Sequence, residues 1–533
     1  MKNLKKNLFI KFVFLLILII GISIHKDYGV SSDEPNSRLK GIISANYIGQ
    51  TFFPEILENY KKKFSLKTEK IYNISDLKNS GKIKYYGVVF ELPAFVLERL
   101  FQIDKKSNQY EFKHLLTHLL FVLSLIYFYK LILFRFNNVF LAVSGVLMLY
   151  LSPRIFANSF FNNKDIVFMS LFIISIYYFF KFFKKQINKN IIICSVFFAL
   201  ALGVRINALI IPVTGLFIYL IYELKSQKGN SSILFKNISL FFVLTIFFTI
   251  IFWPYLWSNP FSNFIEAFKI MSSYPLEIES LFEGRYILST EVPFYYLFKW
   301  ILISTPIYYI CFFLIGTIYF IKIFLSNELK EKDLFLDCYI FLLIVITFFS
   351  IIILKSTLYN GWRQIYFTYP LIIYFSIYEI KFFFDYLYNQ RKYLYFLLLI
   401  LFINSSYIIF SMHPHQNIYF NVFAGKNFDK KYEMDYWGLS YKQNLEFLIK
   451  YQPKGKIEIF NLSSNKLNYH YLIIPHEERK RIEIKKDIKD ARYLIDNFYY
   501  NGNPKFELNF KSYEIINEIK INDVSINTLY KLK

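Results

Sequence analysis

The sequence has few cysteines and few charged residues, and each shortage excludes a class of protein. Its three cysteines, Cys194, Cys311 and Cys338, each fall within an apolar run and form no Cys-x-x-Cys pair. Neither a disulfide scaffold nor a cysteine-based zinc site is therefore indicated. Only 19% of the 533 residues are charged, whereas 55% are apolar and 21% are aromatic, and the mean hydropathy is +0.33. These proportions exclude a disordered chain and argue against a water-soluble globular protein.

A nucleotide-binding signature is also missing. The sequence contains no glycine-rich phosphate loop after a strand and no Asp-x-Asp triplet on a soluble segment. A nucleotide sugar is therefore not indicated as a substrate.

The basic residues are numerous but are not arranged for nucleic acid. The formal net charge is +23, yet many lysines lie in short clusters between apolar runs, as in 181–189. This pattern is typical of the positive-inside rule, by which Lys and Arg mark the cytoplasmic loops of a membrane protein. We expect membrane lipid as a partner and no nucleic acid.

The sequence is instead built from apolar runs of about 20 residues, the length that crosses a bilayer core of about 30 Å. The first run, 8–24, follows a basic start and has no small-residue cleavage site, which predicts an uncleaved span with the N-terminus in the cytoplasm. Ten further spans are predicted at 114–133, 138–153, 164–183, 190–206, 208–224, 237–254, 305–324, 334–354, 365–384 and 393–411. This map makes the loops at 134–137, 181–189, 225–236, 322–333 and 385–392 cytoplasmic, and each contains Lys or Arg.

The remaining segments complete the predicted architecture. An all-α polytopic membrane domain of about 11 transmembrane helices occupies 1–411, with extracytoplasmic loops at 25–113 and 255–304. Amphipathic surface helices are predicted at 86–101 and 261–273, because charged residues interrupt their apolar faces. The tail, 412–533, is predicted to be a small extracytoplasmic α/β domain with a helix at 440–451, a strand at 456–461 and a hairpin at 512–531. The predicted location is the cell membrane, with the C-terminus outside.

Two adjacent carboxylates, Asp33 and Glu34, follow the first span by a few residues. Such a pair can be a solvated loop. At an outer membrane face, however, an Asp can also accept the proton of an incoming hydroxyl, which is the general-base role that lets a weak nucleophile displace a phosphate leaving group.

These carboxylates and several later motifs resemble the C-type glycosyltransferase superfamily, and more narrowly the family 39 protein O-mannosyltransferases and their bacterial relatives, including the aminoarabinose transferases of lipid A. The resemblance rests on the Asp-Glu pair and on five further stretches: Ser152-Pro153-Arg154 through Asn163-Lys164-Asp165, GVRINAL at 203–209, NGWRQIYFTYP at 360–370, MHPHQNIYFNVFAG at 412–425 and MDYWGLSY at 434–441. One departure is Tyr85-Tyr86-Gly87-Val88, which stands where the family has a His-Pro-Pro-Leu or Lys-Pro-Pro-Leu element.

The resemblance implies an inverting transfer of a sugar from a polyprenyl phosphate to an acceptor hydroxyl, with Asp33 as the base and Glu34 and Asp165 as its acidic neighbours. The alternative interpretation of Asp165, at the start of a span, is a helix N-cap. The acceptor could be a glycan, a lipid or a protein.

Arginines near predicted span ends are candidates for the donor phosphate, because guanidinium presents a fork of donors that matches phosphate oxygens. Arg205 and Arg363 fit this role, and snorkelling to lipid headgroups is the alternative. His114, one turn before His118 on the same helix face, is a third phosphate candidate. A metal pair of these two histidines is a weaker hypothesis, so a divalent cation remains open and no other cofactor is expected. The predicted substrate-binding residues are Asn163, Lys164, Glu91, Trp362 and Tyr366.

A transporter or flippase of a lipid-linked saccharide is the alternative function. Such proteins are typically built from pseudo-symmetric halves with charges near the membrane midplane, whereas the acidic residues here gather near one predicted face. We therefore favour the glycosyltransferase.

Overall fold

A computed structural model of the chain describes residues 2–56, 58, 84–184, 187–226, 231–272, 277–326, 331–502 and 512–533. Most of residues 57–83 of the predicted first outer loop lie outside the described residues, as do parts of three predicted cytoplasmic loops (185–186, 227–230 and 327–330).

Helices make up the first three quarters of the described chain. Their bounds are α1 Lys2–Ile24, α2 Glu34–Phe52, α3 Glu91–Leu100, α4 Lys106–Phe136, α5 Val139–Tyr150, α6 Pro153–Phe161, α7 Asp165–Lys184, α8 Asn188–Val204, α9 Ile210–Ser226, α10 Ser231–Phe252, α11 Pro260–Ser272, α12 Tyr296–Ser304, α13 Ile307–Leu325, α14 Glu331–Ile353, α15 Tyr369–Tyr386 and α16 Arg391–Ser411.

Each of the eleven predicted spans corresponds to one of these helices, but not all of them are long and apolar enough to cross a bilayer alone. Seven of the described helices meet that criterion: α1, α4, α7, α10, α13, α14 and α16. The bent pair α5 and α6, which meet at 68°, brings the number to 8 if it forms one span. The apolar helices α8 and α9 are shorter. The mainly helical membrane fold is confirmed, and the number of spans stays a prediction.

The bundle is centred on α7. In its most apolar window, 78% of the residues are buried inside the protein, against 11% for α1. Helices α13 and α15 approach closely at Gly316, where an added Cβ would lie 2.1 Å from the carbonyl oxygen of Phe375. A larger residue at position 316 would therefore force these helices apart.

Helices are present at both places where surface helices were predicted, as α3 and α11, and their location at the membrane surface stays a prediction. Helix α2, which was not predicted, occupies the polar stretch after the first span. The hairpin of β1 (Glu279–Phe282) and β2 (Arg285–Leu288) and the helix α12, all within the predicted second outer loop, were not predicted either.

The tail contains helices and strands, as predicted, and its strands form one mixed sheet. Its helices are α17 (Tyr441–Tyr451), α18 (Leu467–His470) and α19 (His476–Arg479), and its strands are β3 (Ile457–Asn461), β4 (Ile482–Ile484), β5 (Tyr493–Asp496), β6 (Tyr513–Ile521) and β7 (Val524–Leu532). The strand order is β4-β3-β5-β7-β6, with β3 parallel to β4 and β5 and with β7 antiparallel to β5 and β6. Asn522 and Asp523, both with positive φ, form the hairpin turn, a conformation that Asn and Asp tolerate.

The segment that joins the spans to the sheet packs into the membrane domain. Met412, Ile418, Tyr436 and Trp437 belong to the same buried apolar cluster as the spans. The division into domains at residue 412 therefore stays a prediction.

Candidate active site

Asp33 lies directly before α2, where Pro35 occupies the first helical turn. Proline suits this place because the first turn has no use for its missing N–H. Although Asp33 is the N-cap residue, its side chain makes no capping hydrogen bond. Its carboxylate is 40% exposed, and Oδ2 accepts a hydrogen bond from Nη1 of Arg363 over 3.2 Å.

Glu34 points elsewhere, although it is the next residue. Successive residues on a helix are about 100° apart, and Glu34 is completely buried. Its Oε2 accepts the N–H of Ser31 over 2.7 Å, and its Oε1 lies 3.0 Å from Nε2 of His114. The adjacent carboxylates therefore have different environments, and only that of Asp33 is open to solvent.

Asp165 begins α7 and is buried. Its N–H donates to Oδ1 of Asn162 over 2.9 Å, and Asn162 returns a hydrogen bond to Oδ2 of Asp165 over 3.1 Å. The carboxylate also accepts from Arg205, and from Nη1 of Arg363 over 3.2 Å. Arg363 thus bridges Asp33 and Asp165.

The guanidinium of Arg363 is held by rings as well as by carboxylates. It lies 5.0 Å from the ring centroid of Tyr359 and 4.6 Å from that of Trp437, within the range of cation–π attraction. Burial acts to lower its pKa, but the negative charge of Asp33 and its other acidic neighbours raise the pKa well above the ordinary value. Arg363 is therefore a permanent cation at the site.

A cavity of about 290 Å³ opens beside this network. Asp33 and Arg363 line it, together with two lysines, Lys40 and Lys164. The rest of its wall is aromatic or neutral and polar, apart from Ile278: Ser32, Asn36, Ser37, Tyr86, Tyr359, Asn360, Tyr436, Asn465 and Tyr499. The cavity therefore combines one accessible carboxylate, three cations and many hydrogen-bonding groups.

The two lysines face the same ring. Lys164 Nζ lies 3.7 Å from the ring centroid of Tyr86, and Lys40 Nζ lies 5.6 Å from it. Burial lowers the pKa of Lys164 to about 7 and that of Lys40 to about 8, and for Lys164 the nearby Arg205 adds to this effect. An anion bound in the cavity would stabilise the protonated form of both lysines.

Eight of the predicted site residues do not line this cavity. Three of them, Glu34, Asp165 and Arg205, have their contacts described above. Asn163 donates to Oε1 of Glu91, whose Oε2 lies 2.7 Å from Nζ of Lys113. His114 is beside Glu34, as described above. Trp362 donates to Oγ of Ser304 over 2.8 Å, and Tyr366 is buried against its ring.

The residues do not fit a divalent cation. No group of three or more His, Cys, Asp or Glu side chains in the described part of the chain could hold a metal ion, and the guanidinium of Arg363 already bridges Asp33 and Asp165. His118 hydrogen-bonds Oγ of Ser159 and stacks on Phe160, whereas His114 approaches Glu34.

Several lining residues were not predicted as site residues. Ser37 and Lys40 are one and two turns after Asp33, a spacing that shares a helix face once α2 is known. Asn360 and Tyr436 belong to the motifs at 360–370 and 434–441, but other members of the first motif were chosen. Tyr86 lies at the noted departure from the family. Nothing local singles out Asn465 or Tyr499.

Residues 93–253 match the family model described as dolichyl-phosphate-mannose-protein mannosyltransferase. No protein in the curated set that was searched matches the chain. Among solved structures, the Archaeoglobus fulgidus oligosaccharyltransferase in the apo form superposes with a TM-score of 0.51 and 11% identity, covering 92% of this chain and 70% of that one. The chain has the C-type glycosyltransferase fold.

Two structures of ArnT from Cupriavidus metallidurans are also similar to this C-type glycosyltransferase fold. The apo form has a TM-score of 0.46 and 10% identity, with 97% of both chains covered. The form bound to undecaprenyl phosphate has a TM-score of 0.42 and 12% identity, covering 69% of this chain. The chain spans 59% of the length of that second structure. The family match, which includes Asp165 and Arg205, confirms the resemblance to C-type glycosyltransferases drawn from the motifs.

Proposed function

We propose that the protein transfers a sugar from a polyprenyl-phosphate carrier to an acceptor hydroxyl on the extracytoplasmic side of the membrane. The observation that carries this proposal is the juxtaposition, in one cavity, of the accessible Asp33 carboxylate and the cations of Arg363, Lys40 and Lys164. This arrangement supplies both a proton acceptor and a phosphate-binding wall. The family description, with its dolichyl-phosphate donor, supports the choice of a lipid-linked sugar.

Asp33 acts as the general base. It takes the proton from the acceptor hydroxyl while that oxygen forms a bond to the anomeric carbon. The bond from the anomeric carbon to the phosphate oxygen breaks, and its electron pair leaves with the lipid phosphate. A single displacement of this kind inverts the anomeric configuration. Positioned proton transfer commonly contributes about 10²–10⁴-fold to rate.

The phosphate is held by Arg363 and the lysines. Arg363 keeps its charge because Asp33 and Asp165 both stabilise it. Asp165 is 1% exposed and contacts two guanidiniums. It therefore positions Arg205 and Arg363, and its buried carboxylate is not accessible to a substrate hydroxyl. Glu34, with Ser31 and His114, fixes the start of α2 and thereby the position of Asp33.

The sugar and acceptor contact the neutral wall. Tyrosine rings offer flat apolar faces and hydroxyls, and Asn36, Asn360 and Asn465 offer amide donors and acceptors. Tyr436, Asn465 and Tyr499 come from beyond the last predicted span, so the tail contributes directly to substrate selection.

A transfer assay tests the proposal. Purified protein in detergent receives a radiolabelled polyprenyl-phosphate sugar and a cell-envelope extract, with no nucleotide. Label should move into acceptor, and Asp33→Asn should stop the movement. Asp27→Asn is the matched control, because Asp27 follows the same span, is 48% exposed and pairs with a histidine outside the cavity.

Flippase activity is the outcome that would overturn the proposal. Label that crosses the membrane of reconstituted vesicles unchanged, with no transfer to acceptor, would identify a transporter. Sidedness is tested separately with alkaline phosphatase fused after Lys533, which keeps the tail intact. An active fusion supports an extracytoplasmic tail, and an inactive one places the cavity on the wrong side for this reaction.

A further inference from the structure

The charges around the cavity divide into a balanced network and a surplus. Asp33, Asp165, Arg205 and Arg363 supply two carboxylates and two guanidiniums in direct contact with one another. This network is neutral as a unit. Any remaining charge on the cavity wall therefore comes from Lys40 and Lys164.

Neither lysine has an ion-pair partner among the residues that the structure describes. Their close contacts are with the ring of Tyr86. The charges that act on the pKa of Lys40 include Glu91, Lys164, Lys113 and Asp33, and those that act on the pKa of Lys164 include Arg205, Asp33, Asp165 and Arg363. Glu91 is already paired with Lys113. Both lysines are partly buried. Burying an ammonium group without a counterion is costly, and burial is the largest cause of the lowered pKa of each lysine.

The proposed reaction creates a matching charge. The donor is a phosphodiester with one negative charge. When the bond to the anomeric carbon breaks, the lipid phosphate becomes a monoester, whose second proton has a pKa of about 6. The leaving phosphate therefore carries close to two negative charges at neutral pH, while the proton of the acceptor hydroxyl goes to Asp33.

We propose that Lys40 and Lys164 form a dianion site that binds the phosphomonoester of the spent lipid carrier more tightly than the phosphodiester of the donor. This inference rests on the proposed function, because it concerns that reaction's leaving group. The two ammonium groups stabilise charge that appears only as the bond breaks, which is the condition for accelerating the chemical step. The same preference makes release of the spent carrier slow.

A pair of short lipid phosphates tests this directly. Full-length protein in detergent is titrated calorimetrically with farnesyl phosphate, a monoester, and with its methyl ester, a diester with the same chain. At pH 7.5 we expect the monoester to bind at least about tenfold more tightly. Equal affinities in the unmodified protein would overturn the inference without recourse to any variant.

Variants assign the preference to the lysines. Lys40→Met and Lys164→Met keep the length of the side chain and remove the charge, and each should bring the two affinities closer together. Lys456→Met is the control, because Lys456 is 74% exposed on the tail and pairs with Glu483. A preference that survives both cavity substitutions in folded protein would overturn the assignment.

The pH profile provides a separate signature. Monoester affinity should fall below about pH 6, where the phosphate gains a proton. It should also fall progressively as the pH rises above about 7, because lysines whose pKa values are about 7 and about 8 in the free protein must then take up protons to bind. The methyl ester should show only the alkaline fall. Identical profiles for the two ligands would contradict a dianion site.

The binding and transfer experiments can fail independently. Sugar transfer without monoester preference would overturn the dianion site and leave the glycosyltransferase. Monoester preference without transfer would support the lipid-phosphate site and overturn the proposed reaction.

Discussion

Two clusters of Arg, carboxylate and Tyr lie at opposite ends of the helix bundle, and they differ in how completely their charges are satisfied. In the cluster away from Asp33, Nε of Arg135 donates to both oxygens of Asp337, over 2.9 and 2.8 Å. Tyr374 donates to the same carboxylate over 2.5 Å, and Arg135 reaches the hydroxyl of Tyr378 over 3.0 Å. Arg135 and Asp337 are 7% and 0% exposed.

The cluster around Asp33 contains the same residue types, but its charges are not all paired and buried. The Asp33 carboxylate is 40% exposed. Lys40 and Lys164, which have no carboxylate partner among the described residues, line the same cavity. An arginine and a carboxylate buried together in a membrane protein are therefore no sign of a substrate site by themselves. An accessible acid and surplus cations, facing a shared cavity, make the difference.

The largest expected effect is a loss of transfer activity from a substitution in the Asp33 cluster. Asp33→Asn keeps the shape of the side chain and removes the proton acceptor, so the transfer rate should fall by about 10²–10⁴-fold. Donor binding should change little, as measured by calorimetry with the lipid-linked sugar. Near-normal turnover would show that Asp33 is not the base.

A substitution in the cluster of Arg135 and Asp337 should mainly lower the stability of the protein. Asp337→Asn leaves the guanidinium of Arg135 buried without its counterion, which typically costs about 3–5 kcal/mol. The melting temperature in detergent should fall, whereas surviving folded protein should bind farnesyl phosphate normally. Asp385→Asn is the control, because its pair with Lys381 is exposed and such pairs contribute about 0–1 kcal/mol. An equal fall in melting temperature in both variants would refute the stabilising role of the Arg135–Asp337 pair.

Arg363→Ala should weaken donor binding by about 1.5–3 kcal/mol, the usual contribution of a hydrogen bond to a charged group. The dissociation constant of the lipid-linked sugar measures this. Arg391→Ala, which removes a guanidinium at the opposite end of the bundle, should leave it unchanged. An unaltered dissociation constant in Arg363→Ala would remove this residue from the phosphate site.

The smallest effect should follow from Glu34→Gln. Glutamine retains an oxygen that can accept the Ser31 N–H, so the loss is about 1 kcal/mol of stability. The rate of transfer should remain within a few-fold of normal. A collapse of turnover as deep as that of Asp33→Asn would mean that the two carboxylates act together.

The spans could be predicted because each is a contiguous apolar run, and contiguity is a local property of the sequence. Helix α2 could not be predicted, because its sequence is polar. Its buried residues include Glu34, which accepts the N–H of Ser31, and Arg38, which pairs with Glu98. The hairpin of β1 and β2 was missed since its partners, Lys431 and Asn501, are distant in sequence.

Part of the candidate site could also be predicted from the sequence. Asp33, Arg363 and Lys164 stood out as charged residues near span ends, and all three line the cavity. The separate environments of Asp33 and Glu34 depend on which way each residue faces at the start of α2, which the sequence did not indicate. Trp362 and Tyr366 were chosen for their proximity to Arg363 in sequence, but their side chains turn into the protein interior. Tyr499 reaches the cavity only through folding of the tail.

The position of β7 in the sheet determines when the cavity can be completed during synthesis. This strand lies between β5 and β6, and Asn527 within it donates to Oγ of Ser440, near the cavity residue Tyr436. A ribosome that has just finished α16 has already made Asp33, Asp165 and Arg363, but it has made no strand of the tail sheet, and β7 is the last strand to follow. The nascent chain therefore carries its acid and its cations for more than a hundred residues of translation before the wall that selects an acceptor exists.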